Sequence, residues 1–141
     1  FKIIASILGS SKPWHPYFLS HDLQNSSLRF KSDKKIVFDE NLITNKIEAY
    51  KANAVFNVEN NPLDDCFILN ANTIGFKTPN YQLEISTNQI ENYVQLYTPE
   101  NLPLIAIEPM TGVSNSFNNS IGLRVLLPNR SYSLKWNVKI K

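Results

Sequence analysis

Two side chains in this sequence have the type and setting for proton transfer, His15 and Glu108. His15 sits in Trp14-His15-Pro16-Tyr17-Phe18. Pro13 and Pro16 restrict the backbone around it, and the neighbouring aromatic rings wall it in. An imidazole in partly apolar surroundings titrates near neutrality, so it can give or take a proton there. A core histidine closed by one hydrogen bond fits the same setting, and the residues alone leave both readings open. Glu108 follows the apolar run Leu104-Ile105-Ala106-Ile107 and precedes Pro109. A carboxylate at the end of a buried strand is costly unless something pairs with it or uses it, and a carboxylate so placed suits a general base. On residue type alone, a strand-end Glu bonded to a loop is an equal alternative. His21, in the polar run Ser20-His21-Asp22, is given no role.

Asp64 and Asp65 form the next candidate group. Adjacent carboxylates accept hydrogen bonds from ligand hydroxyls, or close a turn on their own backbone. Two carboxylates alone make a poor metal site, so none is expected. Trp14, Tyr17 and Phe117 offer rings for stacking, although each such ring is more often part of a core. Cys66 has no basic neighbour in the sequence and is expected to be inert. No Gly-rich phosphate loop, paired-Cys spacing, His-Glu-x-x-His or nucleophile elbow is present, and four glycines leave little for a nucleotide cradle. No cofactor is expected.

The elements that must position these groups read as short strands. Tyr81, Leu83 and Ile85 alternate with polar residues, and residues 93–97 are rich in β-formers. Tyr132, Leu134, Trp136, Val138 and Ile140 alternate strictly with polar partners, which predicts a strand with one buried face. Further strands are expected over residues 1–8, 35–39, 66–69, 73–77 and 122–127. The turn after Pro128 should join the last two strands as a hairpin. Residues 41–61 are polar and Asn-rich, and read as two short strands or irregular structure. No stretch carries a sustained helical period, so the pattern argues for a β-sandwich or barrel in one domain.

Composition agrees. Apolar residues make up 43% and charged residues 18% of the 141 positions, which excludes a highly charged disordered chain. The net charge of +2 gives no nucleic-acid footprint. No apolar run approaches the roughly 18 residues of a membrane helix, so no membrane partner is expected. One cysteine permits no internal disulfide, which is compatible with a reducing compartment.

Three segments taken together resemble the aldose 1-epimerase (galactose mutarotase) family. Trp14-His15-Pro16-Tyr17-Phe18 looks like its HPYF-type motif. Leu63-Asp64-Asp65-Cys66-Phe67-Ile68-Leu69 resembles its Asp-x-x-Phe segment. Ile105 to Gly112, continuing through Asn115-Ser116-Phe117-Asn118, is similar to its Glu-Pro segment, and Leu126-Leu127-Pro128 with a final strand is similar to its close. The resemblance runs over essentially the whole chain. It implies an all-β antiparallel sandwich of the galactose mutarotase-like supersandwich type, with residues 1–141 as the C-terminal part of a single such domain. It further implies interconversion of α and β anomers of an aldohexose, glucose or galactose in type. His15 is then the general acid and Glu108 the general base. Asp64 holds sugar hydroxyls, with Asp65 as the alternative if the alignment slips by one, and Trp14 and Tyr17 contact the ring. The resemblance implies a cytoplasmic enzyme. It also implies an N-terminal half of the same domain, supplying an Arg and a second His, as partner. A non-catalytic carbohydrate-binding sandwich, or an inactive fragment of the enzyme, is the alternative.

Overall fold

The computed structural model of the chain describes residues 3–5, 16–19, 23–51, 55–59, 62–89, 91–100 and 102–141. Its strands in chain order are β1 (Ile3–Ala5), β2 (Pro16–Leu19), β3 (Ser27–Arg29), β4 (Ser32–Phe38), β5 (Thr44–Ala49), β6 (Phe56–Asn57), β7 (Asp64–Leu69), β8 (Thr73–Lys77), β9 (Gln82–Thr87), β10 (Asn92–Tyr97), β11 (Leu104–Met110) and β12 (Trp136–Ile140). A single 3₁₀ turn and the four-residue helix α1 (Ser116–Asn119) complete the regular structure among the described residues. The strands form two sheets, and every strand pairing is antiparallel. One has seven strands in the order β1-β2-β11-β10-β7-β4-β5, the other five in the order β12-β9-β8-β3-β6.

Side chains alternate across a strand, and directly paired residues of neighbouring strands share a face. In the large sheet this alternation sends Phe67, Leu69, Val94, Leu96, Ile105 and Ile107 to one side. They meet Leu28, Ile74, Phe76, Leu83 and Ile85 of the small sheet in one buried cluster. That cluster is the filling of a two-layer sandwich. Phe30 and Tyr50 close on Phe67 with ring centroids 5.0 and 4.9 Å away.

The other face of the large sheet carries Asp64, Cys66 and Ile68 of β7, Tyr93, Gln95 and Tyr97 of β10, and Ala106, Glu108 and Met110 of β11. One end of this face is roofed. The segment after β11 crosses it and sets Val113 and Ile121 against Ile36, Cys66, Tyr93, Ile68 and Met110 as a second small core. Ser114 anchors the crossing at the far edge, where its hydroxyl lies 2.9 Å from both the backbone N and the Oγ1 of Thr44. The segment closes on itself where Gly122, at φ +71, lies on Gly112. A Cβ on Gly122 would fall 2.5 Å from the Gly112 Cα, so only glycine fits.

Four expectations need correction. Residues 122–127 form no strand. The turn at Gly122 leads into an irregular segment with no ladder partner, in which Val125 is 77% exposed. The expected hairpin is therefore absent, and β12 pairs with β9. The last strand starts at Trp136 instead of Tyr132, and its apolar side is not buried: Val138 and Ile140 are 50% and 45% exposed. Finally, Asp64 and Asp65 do not precede β7 but begin it, and Glu108 lies within β11, which continues through Pro109 to Met110. Residues 41–61 do hold two short strands, β5 and β6.

Candidate active site

Beyond the roofed end, the outer face of the large sheet becomes polar. Glu108 of β11 lies directly opposite Gln95 of β10, and Gln95 lies directly opposite Cys66 of β7. Asp64 is two residues from Cys66 and so on the same face. The Gln95 side-chain amide donates to Asp64 Oδ1 at 2.8 Å. Three neighbouring strands thus bring a carboxylate, an amide and, diagonal to it, a second carboxylate together on one face, in a short oblique row. Glu108 and Gln95 are half-buried and Asp64 is exposed. Tyr97 is opposite Asp64 in register, at the end of the row. A shallow hollow beside it is lined by Asp64, Tyr97, Thr98 and Pro99.

Asp65 is separated from this row by the alternation of the strand. It points to the other side of β7, where Lys35 Nζ lies 2.5 Å from its Oδ1. The adjacent aspartates, indistinguishable by residue type, therefore have different work. Asp65 is tied to a lysine at the rim of the core, and Asp64 stands with Glu108 on the open face. Burial, and secondarily the charge of Asp65, pushes the Cys66 thiol up to about 12. Cys66 is fully buried and remains a neutral thiol at physiological pH, so it is packing material in the floor of the site.

Tyr17 occupies the register position opposite Ala106, in the strand flanking β11 on its other side. His15 and Trp14 lie outside the described residues. Phe117, offered by the sequence as a stacking ring, is on α1 and 88% exposed. Among the described residues no three His, Cys, Asp or Glu side chains converge as metal ligands, and no helix is long and apolar enough to cross a membrane.

Gln95 is the member of the row that sequence reasoning missed. It stands as a polar residue in a β-rich run, like any solvent-facing position. Its distinguishing feature is the register, which sets it between Glu108 and Asp64, and no local pattern carries that information.

The fold is that of an aldose 1-epimerase-like β-sandwich. The structure superposes on the crystal structure of a "putative aldose 1-epimerase" from Escherichia coli K12 with a TM-score of 0.74 over 91% of this chain, at 14% sequence identity. The chain spans about half of that protein, 49% of its length. No protein-family model and no curated protein matches the sequence. At this identity the likeness speaks for the fold, and the chemistry must be argued from the side chains.

Proposed function

We propose that this chain is the C-terminal part of an aldose 1-epimerase domain, acting on an aldohexose of the glucose or galactose type in the cytoplasm. The observation that carries the reading is the row Glu108–Gln95–Asp64 on the open face, with Asp65 turned away into an ion pair. Ring opening needs one proton taken from the hydroxyl on C1 and one delivered to the ring oxygen. In this reading the Glu108 carboxylate takes the first, the C1–O bond to the ring oxygen breaks, and His15 as imidazolium supplies the second. Rotation about C1–C2 presents the other face of the aldehyde, and the same two groups close the ring with their roles reversed. Asp64, held by Gln95, accepts hydrogen bonds from sugar hydroxyls. Trp14 and Tyr17 supply ring contacts. No cofactor is required by this chemistry.

One further observation supports the reading: Tyr17 opposes Ala106 in the β2–β11 ladder, so the strand that follows His15 in the sequence flanks the strand that carries Glu108.

The test is the interconversion of α- and β-glucose and galactose, followed by polarimetry or NMR on the full-length protein. Catalysed exchange that is lost in both Glu108→Gln and His15→Asn supports the reading. Near-normal exchange in Glu108→Gln removes Glu108 as the base. Saturable sugar binding without any exchange turns the assignment to a non-catalytic carbohydrate-binding sandwich. Exchange by the full-length protein but not by residues 1–141 marks this chain as an inactive fragment.

A further inference from the structure

The small sheet also has an outward face, and a different chemistry is gathered there. Core positions Leu28, Phe76 and Leu83 alternate with outward-facing ones, and the latter surround a hollow of about 300 Å³. Arg29, Lys77, Lys139 and Lys141 stand around it, with Glu84 as its one carboxylate among the described residues. The whole chain has a net charge of +2. Four cations against one anion therefore concentrate more than that entire excess at one spot, and the rest of the molecule is slightly acidic. Among the described residues none of the four cations takes part in an ion pair. Lys139 is in register with Glu84, yet no ion pair joins them.

The hollow exists because of Gly75. In the ladder Gly75 sits between Arg29 on β3 and Glu84 on β9, where any other residue would raise a side chain from the floor. The backbone does not demand glycine there. A Cβ would meet nothing closer than the Arg29 Cβ at 3.8 Å, an ordinary contact. Glycine within a strand weakens it, and often marks a place where a ligand comes close to the backbone.

We propose that this hollow binds a small organic phosphate bearing hydroxyl groups, such as a phosphorylated sugar or polyol. The cations supply the field and the donors for a dianionic group. Glu84, beside the glycine floor, accepts from a hydroxyl and would repel a second phosphate. Its position disfavours a polyanionic chain, and the hollow, at about 300 Å³, is at the lower end of size for small-molecule sites. The site is on the opposite outer face of the sandwich from Glu108 and does not depend on the epimerase reading.

Calorimetric or NMR titration of the full-length protein with glucose 6-phosphate, inorganic phosphate, glucose and dextran sulfate tests this. The expected result is saturable binding of glucose 6-phosphate, at least about tenfold tighter than inorganic phosphate, weakening as salt is raised. Glucose alone should leave the resonances of residues 75, 84 and 139 unmoved. The pair Lys77→Gln/Lys139→Gln should weaken binding by about tenfold or more, the order expected for losing charge-assisted contacts. Gly75→Val keeps every charge, fits the strand and fills the floor, so it should abolish binding while leaving stability equal or higher. Absence of saturable binding, binding that survives Gly75→Val, or tighter binding of dextran sulfate than of glucose 6-phosphate would each overturn the proposal.

Discussion

The centre of the large sheet and the free edge of the small one are written in the same alphabet and have different fates. β10 alternates Tyr93, Gln95 and Tyr97 with Val94 and Leu96, and β12 alternates Trp136, Val138 and Ile140 with Asn137 and Lys139. In β10 the apolar positions Val94 and Leu96 are completely buried. In β12, Val138 and Ile140 share a face with the buried Ile85 and Leu83 across the ladder, yet remain about half exposed. Alternation fixes which side of a strand faces a core. Whether a second layer covers that side is a property of the rest of the domain. Apolar area left in water contributes little to folding, since the gain comes from area removed from it.

The largest effect should come from the polar side of the central strands. Glu108→Gln keeps size and hydrogen-bonding capacity and removes the proton acceptor. If Glu108 is the base, the exchange rate in the full-length protein should fall by about 10²–10⁴-fold, with an unchanged circular dichroism spectrum. The inner side of the same sheet should instead respond in stability. Phe67 is 1% exposed and touches both Phe30 and Tyr50. Phe67→Ala should cost about 3–5 kcal/mol, read from the urea midpoint.

Cys66 lies just behind the candidate row and sharpens the contrast through pH. Its thiol is pushed from 9.0 up to about 12, chiefly by burial. A raised folded-state value means that the neutral thiol is the form folding favours. Its contribution is complete below about pH 9 and is lost as the pH rises from there towards 12. Stability should fall across that window in the native sequence. It should fall less steeply in Cys66→Ala, where other alkaline groups still titrate but this one is gone. Equal slopes in urea unfolding at pH 8 and pH 10.5 would show that the thiol does not take part.

The sandwich class was legible because many short apolar runs stand between Pro, Asn and Gly punctuation, and no competing period of 3.6 appears. The partition of β7 was not. Asp64 and Asp65 are adjacent and chemically identical, and only the pairing of Cys66 with Gln95 sends one outward and the other to Lys35. The error at residues 122–127 has a local cause. Arg-Val-Leu-Leu reads as a strand by composition, but the chain has already left the sheet at Met110, and the turn at Gly122, at positive φ, leads those residues to no ladder partner. β9 then offers β12 a vacant edge, which no hairpin rule anticipates.

The two aspartates give the next test. If Asp64 holds sugar hydroxyls as proposed, Asp64→Asn should weaken sugar binding by about tenfold, seen as a raised KM, because one charged acceptor is replaced by a neutral one. Asp65→Asn should leave KM unchanged and cost at most about 1 kcal/mol of stability, since its ion pair with Lys35 is partly solvated. Equal effects on KM would mean that the face assignment does not govern binding.

The smallest effect belongs to the edge and bears most directly on what covers it. In the 141-residue chain, Val138→Ala removes methyl groups that are already half in water. Nothing among the described residues closes over them, so no cavity forms and the cost should stay below about 1 kcal/mol. In a longer protein whose added layer packs on β12, the same change leaves a void in a two-sided core, and the cost should rise to about 2 kcal/mol or more. The difference between the two urea midpoint shifts therefore measures the covering layer itself. Equal shifts in both lengths would mean that β12 is a true outer edge of the fold, and that any remaining part of the domain completes the sandwich elsewhere.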